Sequence, residues 1–176
     1  MKTTYVSLLA SLCVSPLFAS EPTFSAIGAG CVPTGQTTDA SVHFNSAGDT
    51  TFFSTDVGEI ILTCPVPATL LSASRIDMTY RDTDGAGVAA RVVASLRRKN
   101  LSNAAVVDVA QARVDSNLKQ ATSTYANMAN NIAVGGCGDY AFDHNNYAYY
   151  VQVNMTRTTT SQQAIFASVR LSTAIC

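Results

Sequence analysis

Residues 75–97, RIDMTYRDTDGAGVAARVVASLR, decide how this chain folds. Across 75–81, Ile76, Met78 and Tyr80 alternate with Arg75, Asp77, Thr79 and Arg81, and a period of two sends the two sets to opposite faces of a half-buried strand. The next run repeats the pattern, with Val88, Ala90, Val92, Ala94 and Leu96 on one face and Arg91, Ser95 and Arg97 on the other. The connection Asp82-Thr83-Asp84-Gly85-Ala86-Gly87 is rich in turn formers, so the two runs read as a β-hairpin.

Working outward, the C-terminal third shows the same alternation. Tyr147, Tyr149, Val151, Val153 and Met155 oppose Ala148, Tyr150, Gln152, Asn154 and Thr156, and Ile165, Ala167, Val169 and Leu171 then oppose Ser168 and Arg170. These runs read as a second antiparallel pair. Residues 41–44, 50–54 and 59–64 are shorter strands, the last halted by Pro65 and Pro67, which cannot donate to a ladder. Between 104 and 134 two patterns compete. Ala110, Val114, Leu118, Ala121, Tyr125, Met128 and Ile132 have helical spacing, whereas Val106, Val107 and Val109 are β-branched and Asp115-Ser116-Asn117 signals a turn. The β-branched residues favour two strands. About nine short strands predict an all-β fold, an antiparallel β-sandwich with a jelly roll as one form and a barrel as the alternative. Without a repeat, linker or tail, a single domain is expected over 21–176.

The first 20 residues read as a signal peptide. Lys2 gives a positive start, residues 6–14 are apolar, and Pro16 leads to the small residues Ala19 and Ser20. That apolar run falls short of the roughly 20 residues a membrane span needs. Cys13 raises the alternative of a lipoprotein, but Leu12 occupies the position where lipid-attachment signals carry a small residue. A secreted or periplasmic location follows. Export leaves Cys31, Cys64, Cys137 and Cys176, and two disulfides are expected in an oxidising compartment. Three pairings are open, with the short loops Cys31–Cys64 and Cys137–Cys176 preferred. A four-cysteine zinc site is the competing reading, against which stands the lack of any closely spaced pair.

Removing Lys2 leaves 10 basic against 12 acidic residues, with no run of like charge, so neither nucleic acid nor an anionic membrane is an expected partner. The catalytic inventory is thin. There are two His, and Gly-x-Ser-x-Gly, His-Glu-x-x-His, Walker and dinucleotide-binding motifs are all missing. No catalytic residue, metal or cofactor is assigned. Asp82 and Asp84 have the opening spacing of a calcium loop, but no closing Glu follows, which favours an ordinary turn. Asp139, Asp143 and His144 read as a turn ahead of the Tyr147 strand, and His43 as a structural residue. Tyr147 and Tyr149 share the core-facing set, leaving Tyr150 outward as an aromatic able to stack on a sugar or a partner. Arg91, Arg97 and Arg98 read either as a solvated strand face or as a site for an acidic ligand.

The series Cys31-Val32-Pro33, Cys64-Pro65, Tyr80 with Asp82, Leu96-Arg97, Tyr147-Ala148-Tyr149-Tyr150-Val151 and Val169-Arg170-Leu171 resembles small secreted bacterial proteins with an all-β sandwich fold. The resemblance implies the fold and no catalytic residue. Two functional expectations follow. The first is a non-enzymatic structural or interaction module acting through its sandwich surface, toward a protein partner or a second copy of itself. The alternative is an extracellular carbohydrate- or calcium-dependent ligand-binding module resting on Asp82, Asp84 and Tyr150.

Overall fold

The computed structural model describes residues 23–36, 40–132 and 138–173, leaving the predicted signal peptide, Cys13, Cys137 and Cys176 outside the described residues. Thirteen strands are described: β1 Phe24–Ile27, β2 Val32–Gln36, β3 Val42–Phe44, β4 Thr50–Phe52, β5 Gly58–Pro65, β6 Ser72–Ala73, β7 Arg75–Asp82, β8 Ala90–Asn100, β9 Val106–Asp115, β10 Ala126–Asn131, β11 Tyr140–Ala141, β12 Tyr147–Arg157 and β13 Ala164–Ser172. Among them are the two strands expected in the ambiguous middle. One sheet runs β10-β7-β13-β4-β3, with β1 also on β13, and the other runs β2-β5-β12-β8-β9. All pairings are antiparallel, and the inward faces of the two sheets form one core.

Both expected hairpins are corrected. β7 and β8 lie in different sheets, as do β12 and β13. The physical reason is a nested wiring. Leaving aside the two-residue β6 and β11, β8 pairs with β9, and β7 and β10 belong to the opposite sheet and pair with each other around them. Outside these, β5 pairs with β12 and β4 with β13. This is a long hairpin rolled onto itself, the jelly-roll arrangement, in which successive nested strand pairs alternate between sheets. Alternation of side chains identifies a strand and its buried face, but does not choose its partner.

The buried faces match the period-two reading. Ile76, Met78 and Tyr80 on β7, Ala90, Val92, Ala94 and Leu96 on β8, and Tyr149, Val151, Val153 and Met155 on β12 are all buried. Two details differ. Val88 is exposed in the β7–β8 connection, and on β13 the phase slips at a bulge between Phe166 and Ser168, so that Phe166 is core and Ile165 is not. A bulge adds one residue to a strand and so reverses the face of what precedes it. The disulfide Cys31–Cys64 fastens the chain entering the edge strand β2 to β5. Constraining the unfolded chain in this way stabilises by about 2–4 kcal/mol. Among the described residues, no helix is long and apolar enough to cross a membrane.

Candidate functional site

Because every second residue of β5, β12, β8 and β9 is spent on the core, the remaining ones form an ordered outward grid. Across the sheet, Glu59, Thr156 and Arg91 share one row, Ile61, Asn154, Val93 and Asp115 the next, Thr63, Gln152, Ser95 and Arg113 the third, and Pro65, Tyr150, Arg97 and Asp108 the fourth. Neighbouring columns are about 4.8 Å apart and rows about 7 Å. The short side chains Val93 and Ser95 sit among long ones and leave an open depression of about 280 Å³, lined by Glu59, Arg91, Arg97, Asp108, Arg113, Gln152, Asn154 and Thr156 as well.

The long side chains hold one another in place. The Arg97 guanidinium donates to Gln152 Oε1 at 2.7 Å, Gln152 Nε2 to Asn154 Oδ1 at 2.7 Å, and Asn154 Nδ2 to Glu59 Oε1 at 3.1 Å. Arg97 Nε lies 2.7 Å from Asp108 Oδ1, an ion pair off the line of its N–H. A chain of planar polar groups therefore crosses four strands. Beside it, Asp115 accepts from Arg91 and from Arg113, the latter at 3.0 Å. Burial pushes the Asp115 carboxyl up, but the hydrogen bond and charge of Arg91, the Asn117 N–H and the charge of Arg113 outweigh it and hold the group below the ordinary carboxylate value. The same hydrogen bond from Arg91 to Asp115 raises the Arg91 guanidinium. On this face three arginines, Arg91, Arg97 and Arg113, meet three carboxylates, Glu59, Asp108 and Asp115.

The β9 wall of the depression is irregular. Arg97 opposes Asp108 and Ser95 opposes Arg113, so a short step on β8 faces a longer stretch of β9. Within that bulge Val109 and Ala112 turn into the core, and Gln111 takes φ 62°, which non-glycine residues rarely adopt. Asn130 on β10, in the opposite sheet, donates to the carbonyls of Gln111 and Arg113 at 2.9 and 3.1 Å and holds the bulge.

Of the sequence candidates, Tyr150 lies on this face in the row of Arg97. Tyr149 is buried and Tyr147 half-buried, as the alternation implied. Asp82 and Asp84 are at an end of the sandwich. Asp82 is fully buried, its Oδ1 accepting from the N–H groups of Asp84 and Gly85 at 3.0 Å and its Oδ2 from Ser116 Oγ at 2.5 Å. Asp84 Oδ2 accepts from Ala89 N at 2.6 Å. Gly85, at φ 63° against the Ala121 backbone, leaves no room for a Cβ. These carboxylates are engaged in shaping the connection between the sheets. Arg91 and Arg97 share the outward face, whereas Arg98 lies over the Tyr147 ring at 4.6 Å. Asp143 accepts from Asn145 N and Asn146 N, forming a turn before Tyr147, and the His43 ring meets Phe53 edge-on. Among the described residues no three His, Cys, Asp or Glu side chains gather as metal ligands. Sequence reasoning missed Gln152, Asn154 and Glu59; the polar half of the β12 alternation was the available signal.

No protein-family model matches the chain, and no curated protein matches it. Solved structures do. A xylan-binding module, CBM15, aligns with TM-score 0.50 at 14% identity, over 88% of this chain and 100% of that one. The CBM22-2 xylan-binding domain of Xyn10C from Paenibacillus barcinonensis aligns with TM-score 0.46 at 13% identity, over 85% and 99%. A family two carbohydrate esterase from Cellvibrio japonicus aligns with TM-score 0.39 at 10% identity, and there this chain spans only 34% of the other's length. At such identities the likeness shows a shared β-sandwich fold.

Proposed function

We propose that this protein is an exported, non-catalytic binding module that takes a neutral polysaccharide segment in the depression on the β5-β12-β8-β9 face. The observation that carries the proposal is the continuous chain Asp108–Arg97–Gln152–Asn154–Glu59 around a floor of Val93 and Ser95. Amide, guanidinium and carboxylate groups pre-positioned by one another offer paired donors and acceptors to vicinal sugar hydroxyls, at little further ordering cost. Equal numbers of arginines and carboxylates suit an uncharged ligand. Tyr150, beside Arg97 on the same face, supplies an aromatic surface for a sugar ring. The fold is one that a xylan-binding module also uses, which supports this ligand class over the structural-module expectation. Cys31–Cys64 accords with an oxidising compartment.

Affinity electrophoresis in gels containing neutral arabinoxylan or mixed-linkage β-glucan tests it. The protein should be retarded by at least one of them, and Gln152→Ala/Asn154→Ala should weaken retardation about tenfold, the loss of one or two hydrogen bonds. Migration unaffected by every neutral polymer, or equal retardation of the double variant, rejects the reading.

A further inference from the structure

The opposite face of the sandwich has a different chemistry. On the outward side of β7 and β13, Asp77 lies directly across from Arg170 and two residues along the strand from Arg75. Arg75 Nε reaches Asp77 Oδ1 at 2.8 Å and the Arg170 guanidinium reaches Oδ2 at 3.5 Å, so two cations share one carboxylate. Both guanidiniums remain accessible, with side chains 46% and 56% exposed. Arg81 continues the same side of β7 and adds a third positive charge. Between the arginines, the short side chains Ser25, Thr79 and Ser168 leave an open depression of about 450 Å³.

We infer that this face is a second ligand site, one for a carboxylate-bearing polysaccharide. Guanidinium groups match a planar carboxylate in two-point geometry, and Arg75 and Arg170 together carry one charge more than Asp77 neutralises. Beside them the hydroxyls of Ser25 and Ser168, and the pair in which Thr79 Oγ1 donates to Asn127 Oδ1 at 2.7 Å, are partners for sugar hydroxyls, which an isolated small anion lacks. The openness of the depression suits a polymer segment passing across it, held by several weak contacts. The site stands on its own residues and does not depend on the neutral ligand proposed for the other face.

The test is affinity electrophoresis of the purified protein in gels containing polygalacturonate, with neutral arabinoxylan and dextran sulfate run in parallel. Polygalacturonate should retard the protein, and Arg75→Ala/Arg170→Ala should weaken that retardation at least tenfold, as should raising salt until the Debye length falls to about 3 Å. Gln152→Ala/Asn154→Ala, on the other face, should leave it unchanged. A melting curve confirms that the arginine variant is folded, and Arg170→Gln alone replaces it if the double change lowers the midpoint. Absence of retardation by polygalacturonate, equal retardation of the arginine variant, or retardation by dextran sulfate alone overturns the inference. Failure of every neutral polymer to retard the wild-type protein, with polygalacturonate retardation intact, would instead reject only the proposed function.

Discussion

The two outward faces of this sandwich arise from one rule and end with different surfaces. On each, a carboxylate sits between two arginines, one two residues away on its own strand and one from the neighbouring strand: Arg113, Asp115 and Arg91 on one side, Arg75, Asp77 and Arg170 on the other. On the β8-β9 side the triad adjoins a hydrogen-bonded chain spanning four strands, and the face is balanced in charge. On the β7-β13 side the surroundings are short hydroxyl side chains, and positive charge is in excess. The inward residues are dictated by burial, so chemical individuality is confined to the outward half of each strand.

If the faces are independent surfaces on a common frame, damage to the frame must reach both. The largest effect should come from Asp82→Ala. Asp82 ends β7 in one sheet, and its carboxylate accepts from Ser116, which follows β9 in the other. Removing it strands three donors in a buried site and should cost about 3 kcal/mol in chemical denaturation, with binding on both faces weakened as the unfolded fraction rises. A cost below about 1 kcal/mol would mean that this clamp is not part of the frame. Val153→Ala comes next, at about 2 kcal/mol, because Val153 is fully buried between the sheets. Its sequence neighbour Gln152 belongs to the groove, and Gln152→Ala should stay within about 0.5 kcal/mol. If the two substitutions destabilise equally, the division into frame and face is wrong.

The frame was largely legible in the sequence. Alternation in 75–81, 88–97 and 147–156 identified the strands and nearly all of their buried residues, because a period of two is a local property. Strand partners were not legible, since the choice between β8 and β13 as the neighbour of β7 depends on the closure of the whole roll. The same limit hid the site. Glu59 and Asn154 are 95 residues apart in the chain and meet only because β5 pairs with β12. Asp82 and Asp84 stand out as a loop motif for the opposite reason, their proximity in sequence; Asp82 Oδ1 and Asp84 Oδ2 accept from backbone amides a few residues away, and Asp82 Oδ2 from the distant Ser116 hydroxyl. Tyr150 lies on the outward face, between the buried Tyr149 and Val151, as the local alternation alone requires.

The smallest effect separates the two triads themselves. Asp115 is nearly buried and receives Arg91, Arg113 and the Asn117 N–H, whereas Asp77 is more exposed and one of its arginines stands off at 3.5 Å. Asp115→Asn should therefore cost about 1 kcal/mol near neutral pH, discounted for the half-exposed arginines, and Asp77→Asn less than about 0.5 kcal/mol. The Asp115 carboxyl is held below its ordinary value in the folded protein, so its contribution is complete above the unfolded carboxylate pKa of about 4 and is lost as pH falls through the lower folded value. Urea denaturation of wild type and Asp115→Asn at a series of pH values should show a stability gap that is constant from neutral down to about pH 5 and narrows below about pH 4. The asparagine cannot titrate, which is why the gap, and not the absolute stability, reports on this one group. A gap that stays the same at pH 3, or a cost for Asp77→Asn as large as for Asp115→Asn, would show that the two triads are equivalent surface pairs and that only one of the faces' apparent differences, their overall charge, is real.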